Sequence, residues 1–142
     1  MITEEIKTRF IQAVKDGWQN GNLDAWDMFY APDCVFHKPP FPDTAGLKNV
    51  KESTKDTLGA YTDIKVEIDG LIAEGNMSSW QSTWQATHSG QSASLPIPPT
   101  GKRVTLSSCL VNRWQDGKIV EEWEYSDHLG FLQQLGIVPQ MG

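Results

Sequence analysis

The residues best equipped for chemistry lie in the last third of the chain, on two strands joined by Asp116-Gly117. That dipeptide is a strong two-residue hairpin signal, since both turn positions need positive φ. With it as the turn, Gln115 faces Lys118. The pairs Trp114 with Ile119, Asn112 with Glu121, Leu110 with Trp123, Ser108 with Tyr125 and Leu106 with Asp127 then share one face. This face carries nearly all the bulk and is expected to look into the core. A carboxylate on an apolar face is costly unless paired or protonated, so its pKa should rise, and a general acid or base is expected there. Asp127 is thus the candidate general acid or base. It also stands where strand gives way to helix and can equally cap that helix; the two roles stand side by side. Glu121 shares the face unless a bulge exposes it. On the other face, Arg113 beside Glu122 predicts a surface or subunit-interface ion pair, and Cys109 points away from any pocket.

A second strand, Met77 to Ser89, places Trp80, Ser82, Trp84, Ala86 and His88 on one side. Two tryptophans with a histidine ending their row predict a pocket wall. His88 is the candidate hydrogen-bond donor to a bound ligand, with His37 or Tyr125 as alternates. Trp80, Trp84 and Trp123 would exclude water, and Leu110 and Asn112 would complete the ligand surface. Each has a plainer reading: a hydrogen-bonded core histidine, core tryptophans, and an exposed His128 in the last helix. A bulge in any of these strands would exchange the faces beyond it.

These strands need a scaffold. Thr3 caps a first helix, with Glu4 and Glu5 at its positive end and Ile6, Phe10, Ala13, Val14 and Trp18 at helical spacing. A second helix follows Gly21-Asn22, carries Leu23, Trp26, Phe29 and Tyr30 on one side, and ends at Pro32. Val35-Phe36-His37 reads as a short strand before a Pro-rich loop. A third helix runs from Gly46 toward Tyr61. From Asp63 the period becomes two, giving strands around Ile64–Ile68, Met77–Ser89, Lys102–Gln115 and Lys118–Ser126, with a long loop from Gly90 to Gly101. A short helix, Asp127 to Leu135, closes the chain. Helices first and an antiparallel meander afterwards predict an α+β fold: three N-terminal helices on a strongly curved, mostly antiparallel sheet, in one domain over residues 1–142.

Composition narrows the functions. The chain has 142 residues, 18 acidic against 12 basic side chains and a net charge of -6, which argues against nucleic acid and against a polybasic membrane surface. Apolar runs such as Met28-Phe29-Tyr30-Ala31 are far too short to span a bilayer. The first residues have no cationic start, which predicts no signal peptide. Two distant cysteines predict a reduced, cytoplasmic protein. The three histidines lack metal-ligand spacing, and there is no nucleophile elbow, Walker loop or dinucleotide fingerprint, so neither metal nor cofactor is expected.

Gly21-Asn22-Leu23-Asp24-Ala25, Tyr30-Ala31-Pro32-Asp33 and Val35-Phe36-His37 resemble the start of the SnoaL-like polyketide cyclase family. The resemblance continues through Thr87-His88-Ser89-Gly90, Ile97 to Val104, Asp116 to Trp123, Asp127 and Gln133-Gln134-Leu135-Gly136, covering almost the whole chain. It implies the cone-shaped α+β fold of the nuclear transport factor 2-like superfamily, a pocket between sheet and helices, and a homodimer through the sheet face. It further implies intramolecular aldol ring closure without metal or cofactor. The acidic residue credited with that proton transfer matches Asp127, and His37 and His88 match cavity positions. Gln81 stands in a region where many relatives carry arginine, which points to a different ligand. The leading expectation is a cofactor-independent acid–base enzyme acting on a small hydrophobic carbonyl compound, with polyketide or ester cyclisation, isomerisation or aldol-type chemistry as the reaction. The alternatives are a non-catalytic protein binding a hydrophobic metabolite in the same pocket, and a dimerising accessory domain.

Overall fold

Thr3 does cap the first helix: its side chain accepts the Ile6 N–H, and α1 runs Glu4–Asn20 until Gly21, at φ 72°, turns the chain. The computed structural model describes residues 2–140. After α1 come a 3-10 helix (Leu23–Met28), β1 (Tyr30–His37), β2 (Thr44–Ala45), α2 (Leu47–Ala60), β3 (Tyr61–Glu74), β4 (Met77–His88), β5 (Arg103–Gln115), β6 (Lys118–Ser126) and α3 (His128–Gln134). The second predicted helix is therefore a short 3-10 turn, and the strand after it starts at Tyr30, five residues earlier than expected. Pro32 sits inside that strand without cost, because β1 and β6 change register between Tyr30 and Val35 and no ladder bond is required there.

The six strands form one sheet in the order β2-β1-β6-β5-β4-β3, antiparallel except for β1 beside β6. Trp80 and Trp114 of the sheet meet Phe10 of α1 edge-on, and Phe29 does the same. Phe10 has no exposed surface. Trp26 lies across α1 at Gly17, where a Cβ would overlap its indole, and donates its ring N–H to the Ala13 carbonyl. A second cluster gathers Tyr61, Val66, Trp84, Val104 and Leu135 toward α3.

Asp116 and Gly117 take φ values of 52° and 79°, as the hairpin signal requires. Gln115 faces Lys118 and Trp114 faces Ile119, as expected. Beyond that the expected register fails. Val120 has no partner; Arg113 lies opposite Glu121, Asn112 opposite Glu122, Val111 opposite Trp123, Leu110 opposite Glu124 and Cys109 opposite Tyr125. The extra residue is a β-bulge, and with period two it exchanges the faces of every later β6 residue. Glu122 and Glu124 point inward. Glu121, Trp123 and Tyr125 point outward, contrary to expectation.

Candidate active site

A cavity of about 140 Å³ lies between the helices and the inner face of the sheet. Val14 and Trp18 of α1, Trp26 of the 3-10 helix, and Val50 and Thr54 of α2 cover it. Tyr30 and Phe36 of β1, Trp80 of β4, Leu110 of β5, and Glu122 and Glu124 of β6 form its floor and end, with His37, Lys38 and Thr44 beside them. Its size is that of a space that holds one benzene-like ring.

Glu122 is the chemical centre of this cavity. It is 4 % exposed, and burial, with Glu124 nearby, pushes its carboxyl up to about 8. Oε1 accepts two hydrogen bonds, from the Tyr30 hydroxyl at 2.8 Å and from Asn112 Nδ2 at 2.6 Å. Among the described residues no donor meets Oε2. Burial, followed by the neighbouring Glu122, holds the Tyr30 phenol well above its usual range, so it remains a donor. The amide of Asn112 is itself fixed: Oδ1 accepts from Trp80 Nε1 at 2.8 Å and from Ser78 Oγ at 2.9 Å, and Ser78 accepts from Trp114 Nε1 at 2.9 Å.

Two residues along β6, Glu124 meets the Lys38 ammonium at 3.3 Å and accepts from Ser126 Oγ at 2.7 Å, which Ser108 joins at 2.6 Å. A buried carboxyl held mostly protonated thus stands beside one tied to a lysine. Two carboxyl groups in unlike environments are a familiar way of dividing acid and base roles.

The expected site residues are divided by the fold. Asn112, Leu110 and Trp80 lie on the cavity side. Trp84 lies on the inner face too, but within the second cluster, edge-on to Tyr61, its Nε1 buried without a partner among the described residues. His88 is 1 % exposed and structural in its contacts. Its Nδ1 accepts the Thr100 backbone N–H at 3.1 Å, so the ring pins the Gly90–Gly101 loop. Asp127 is exposed, and its Oδ1 accepts the Gly130 N–H at 2.9 Å as the N-cap of α3.

Trp123 and Tyr125 belong to the outer face because of the bulge. His37, which lies beside the cavity, stacks on Trp123 and bridges Asp43 (Nδ1, 2.9 Å) and Glu121 (Nε2, 2.6 Å). The bonds to these two carboxylates raise its pKa. Arg113 pairs with Glu121 at 3.0 Å, not with Glu122. Cys109 is exposed on that face, as expected. His128 is half-buried rather than exposed: Phe41 meets it edge-on and burial lowers its pKa.

Sequence reasoning missed Glu122, Tyr30, Lys38 and Glu124. The alternation of β6 hid the two glutamates, since a bulge leaves no mark in residue types. Tyr30 was masked by its fit to the stripe of a helix.

A curved six-stranded sheet closed by helices around an acidic cavity is the cone-shaped α+β fold of the nuclear transport factor 2-like superfamily. TsrD of Streptomyces laurentii superimposes with a TM-score of 0.86 over 97 % of this chain and 100 % of its own; at 18 % identity it speaks for the fold alone. A candidate polyketide cyclase of Acidithiobacillus ferrooxidans is 28 % identical, with a TM-score of 0.79 over 96 % of this chain and 97 % of its own. AclR of Streptomyces galilaeus, a candidate hydroxylase, is 25 % identical, with a TM-score of 0.81 over 96 % of this chain and 87 % of its own. No curated protein sequence matches the chain. The family model matches residues 8–135, and the chain belongs to the SnoaL-like polyketide cyclase family.

Proposed function

We propose that this chain is a cofactor-independent acid–base enzyme that moves a proton on a small, largely apolar carbonyl compound, with Glu122 as the proton-transfer group. The observation that carries the reading is the Glu122 carboxyl, buried on the cavity wall with Oε1 occupied and Oε2 without a donor among the described residues. A carboxyl near 8 is matched to neutral solution, where both its acid and base forms are accessible.

In its ionised form Oε2 takes a proton alpha to the substrate carbonyl, leaving an enolate. The enolate either recovers the proton at another carbon, which is isomerisation, or attacks a second carbonyl in the same molecule. In the second case the new alkoxide takes the proton back from Oε2, which closes a ring with no net gain or loss of atoms. Lys38, an ammonium on the cavity wall, is the group for the developing oxyanion. Trp26, Trp80 and Phe36 keep water out. Family membership favours ring closure among these reactions, and the cavity volume favours a substrate portion of about one ring.

The resemblance credits Asp127 with proton transfer. Here the role falls to Glu122, because the Asp127 carboxyl is exposed and engaged on Gly130. Hydrogen–deuterium exchange alpha to the carbonyl of cyclohexanone and acetylacetone, followed by NMR in D2O, separates the two. Glu122→Gln is expected to lose roughly 10²–10⁴-fold of the exchange rate, and Asp127→Asn to keep it. The reverse pattern would overturn the assignment. Pairing of two chains through the outer sheet face, where Tyr125 is exposed, belongs to the same proposal. Sedimentation of the wild type and of Tyr125→Glu tests it, a monomer in both excluding the pairing.

A further inference from the structure

We infer that Asn112 is a positioning residue that decides which oxygen of Glu122 carries the proton, and that it does so because two indole N–H groups fix the direction of the hydrogen-bond chain behind it. The inference rests on the proposed role of Glu122 and adds the machinery that sets it.

An indole nitrogen only donates. Trp114 Nε1 gives its hydrogen to Ser78 Oγ, and Ser78 Oγ in turn lies 2.9 Å from Asn112 Oδ1. Trp80 Nε1 gives its hydrogen to the same Oδ1. That atom must therefore be the amide oxygen, and the atom facing Glu122 must be the NH2 group. Asn112 has no exposed surface, and Ser78, Trp80 and Trp114 are all buried, so no water competes to turn the amide. Reversing it would set the NH2 group against the Trp80 N–H, which has no lone pair to accept it.

With the amide fixed, Oε1 receives a donor from Asn112 at 2.6 Å and another from Tyr30 at 2.8 Å. An oxygen holding two donated hydrogens is a poor place for a third. The exchangeable proton is thereby directed to Oε2, the oxygen left for a substrate. A passive packing role for Asn112 requires none of this directionality; an apolar side chain would fill the same volume.

Asn112→Asp keeps the shape and replaces the NH2 donor by an oxygen. Two carboxyl oxygens then face each other and must share a proton, which moves the proton from Oε2 to the buried edge. The test follows the Glu122 carboxyl by carbon-detected NMR titration, together with the exchange rate of cyclohexanone. The expected result is an upward move of the Glu122 midpoint, with an exchange rate about 100-fold lower in a protein that remains folded. An unchanged midpoint with wild-type exchange would overturn the inference, since a structural role would alter stability and leave the titration alone. Should that variant not fold, Ser78→Ala combined with Trp80→Phe strips both donors from Oδ1 and frees the amide to turn. It is expected to raise the midpoint as well, and an unmoved midpoint overturns the inference equally. A wild-type Glu122 that titrates near 4.5 would instead sink the proposed function itself, so the two failures are distinguishable.

Discussion

Replacing Glu122 by glutamine tests whether this buried carboxyl stores a proton at neutral pH. In the unfolded chain the group titrates near 4.5, and in the folded protein near 8. The native state therefore binds the proton more tightly between those values, and stability must fall as pH rises through that window. At about 1.36 kcal/mol per unit, the full difference is roughly 5 kcal/mol. Most of it, on the order of 4 kcal/mol, is lost between about pH 5 and pH 9. Glutamine cannot ionise, yet its amide oxygen can still accept from Tyr30 and Asn112 while its NH2 group takes the place of Oε2. Glu122→Gln should therefore fold. It should match the wild type near pH 5 and exceed it by on the order of 4 kcal/mol near pH 9. Such a gap is a large share of the stability of any domain this size. Urea unfolding of both proteins at pH 5, 7 and 9 provides the measurement. Taking the difference between the two chains removes titrations elsewhere, His37 included. Parallel stability curves would show that Glu122 ionises freely in the folded protein, and the argument for a buried acid–base group would fail with it.

Other substitutions probe the same reasoning. Glu124 raises the Glu122 midpoint and Lys38 lowers it, so Glu124→Gln should move the midpoint down and Lys38→Met should move it up in a carboxyl NMR titration. Equal midpoints in both variants would mean that the charges at the cavity end are screened from Glu122. His37 holds its proton through Glu121 and Asp43, so its contribution is complete below about pH 6.5 and fades as pH rises through its raised folded value; thermal melts of His37→Gln should show a flatter pH dependence in that range than the wild type. Gly17→Ala should destabilise α1 although alanine is the better helix former by about 1 kcal/mol. Its Cβ overlaps the buried Trp26 indole, and overpacking costs roughly 1–3 kcal/mol. A variant more stable than the wild type in urea would refute that weighing.

Much of the scaffold was legible because local physics and tertiary packing agree there. Thr3 as a cap, Gly21 as a stop and Asp116-Gly117 as a turn each answer a backbone requirement that few residues meet. The rows containing Trp80 and Leu110 follow from strict alternation in β4 and β5, which pair without interruption from Met77 to Thr87. Phe29 and Tyr30 fitted a helical stripe as well as a strand. Parallel pairing with a segment about ninety residues further on decided between them, and a local pattern does not contain that pairing.

The site itself turned on one residue. Up to Ile119 the hairpin keeps the register its turn dictates, and Ile119 ends with no exposed surface. If Val120 were paired, Glu121, Trp123 and Tyr125 would face the cavity, and a glutamate tied to Arg113 and His37 would lose both partners. With Val120 bulged, the outer face gains the Glu121 ion pairs and the His37–Trp123 stack. The inner face gains a glutamate that Asn112 and Tyr30 are placed to receive. Two networks, Glu122 with Tyr30 and Asn112 inside and Glu121 with Arg113 and His37 on the other side, thus favour the same register. The chemical identity of the cavity is therefore a property of this pairing, not of any short motif. For that reason Asn112, recognised as an inward polar residue, was the sequence's truest pointer to the site: a buried amide needs partners, and the carboxyl that supplies one is Glu122.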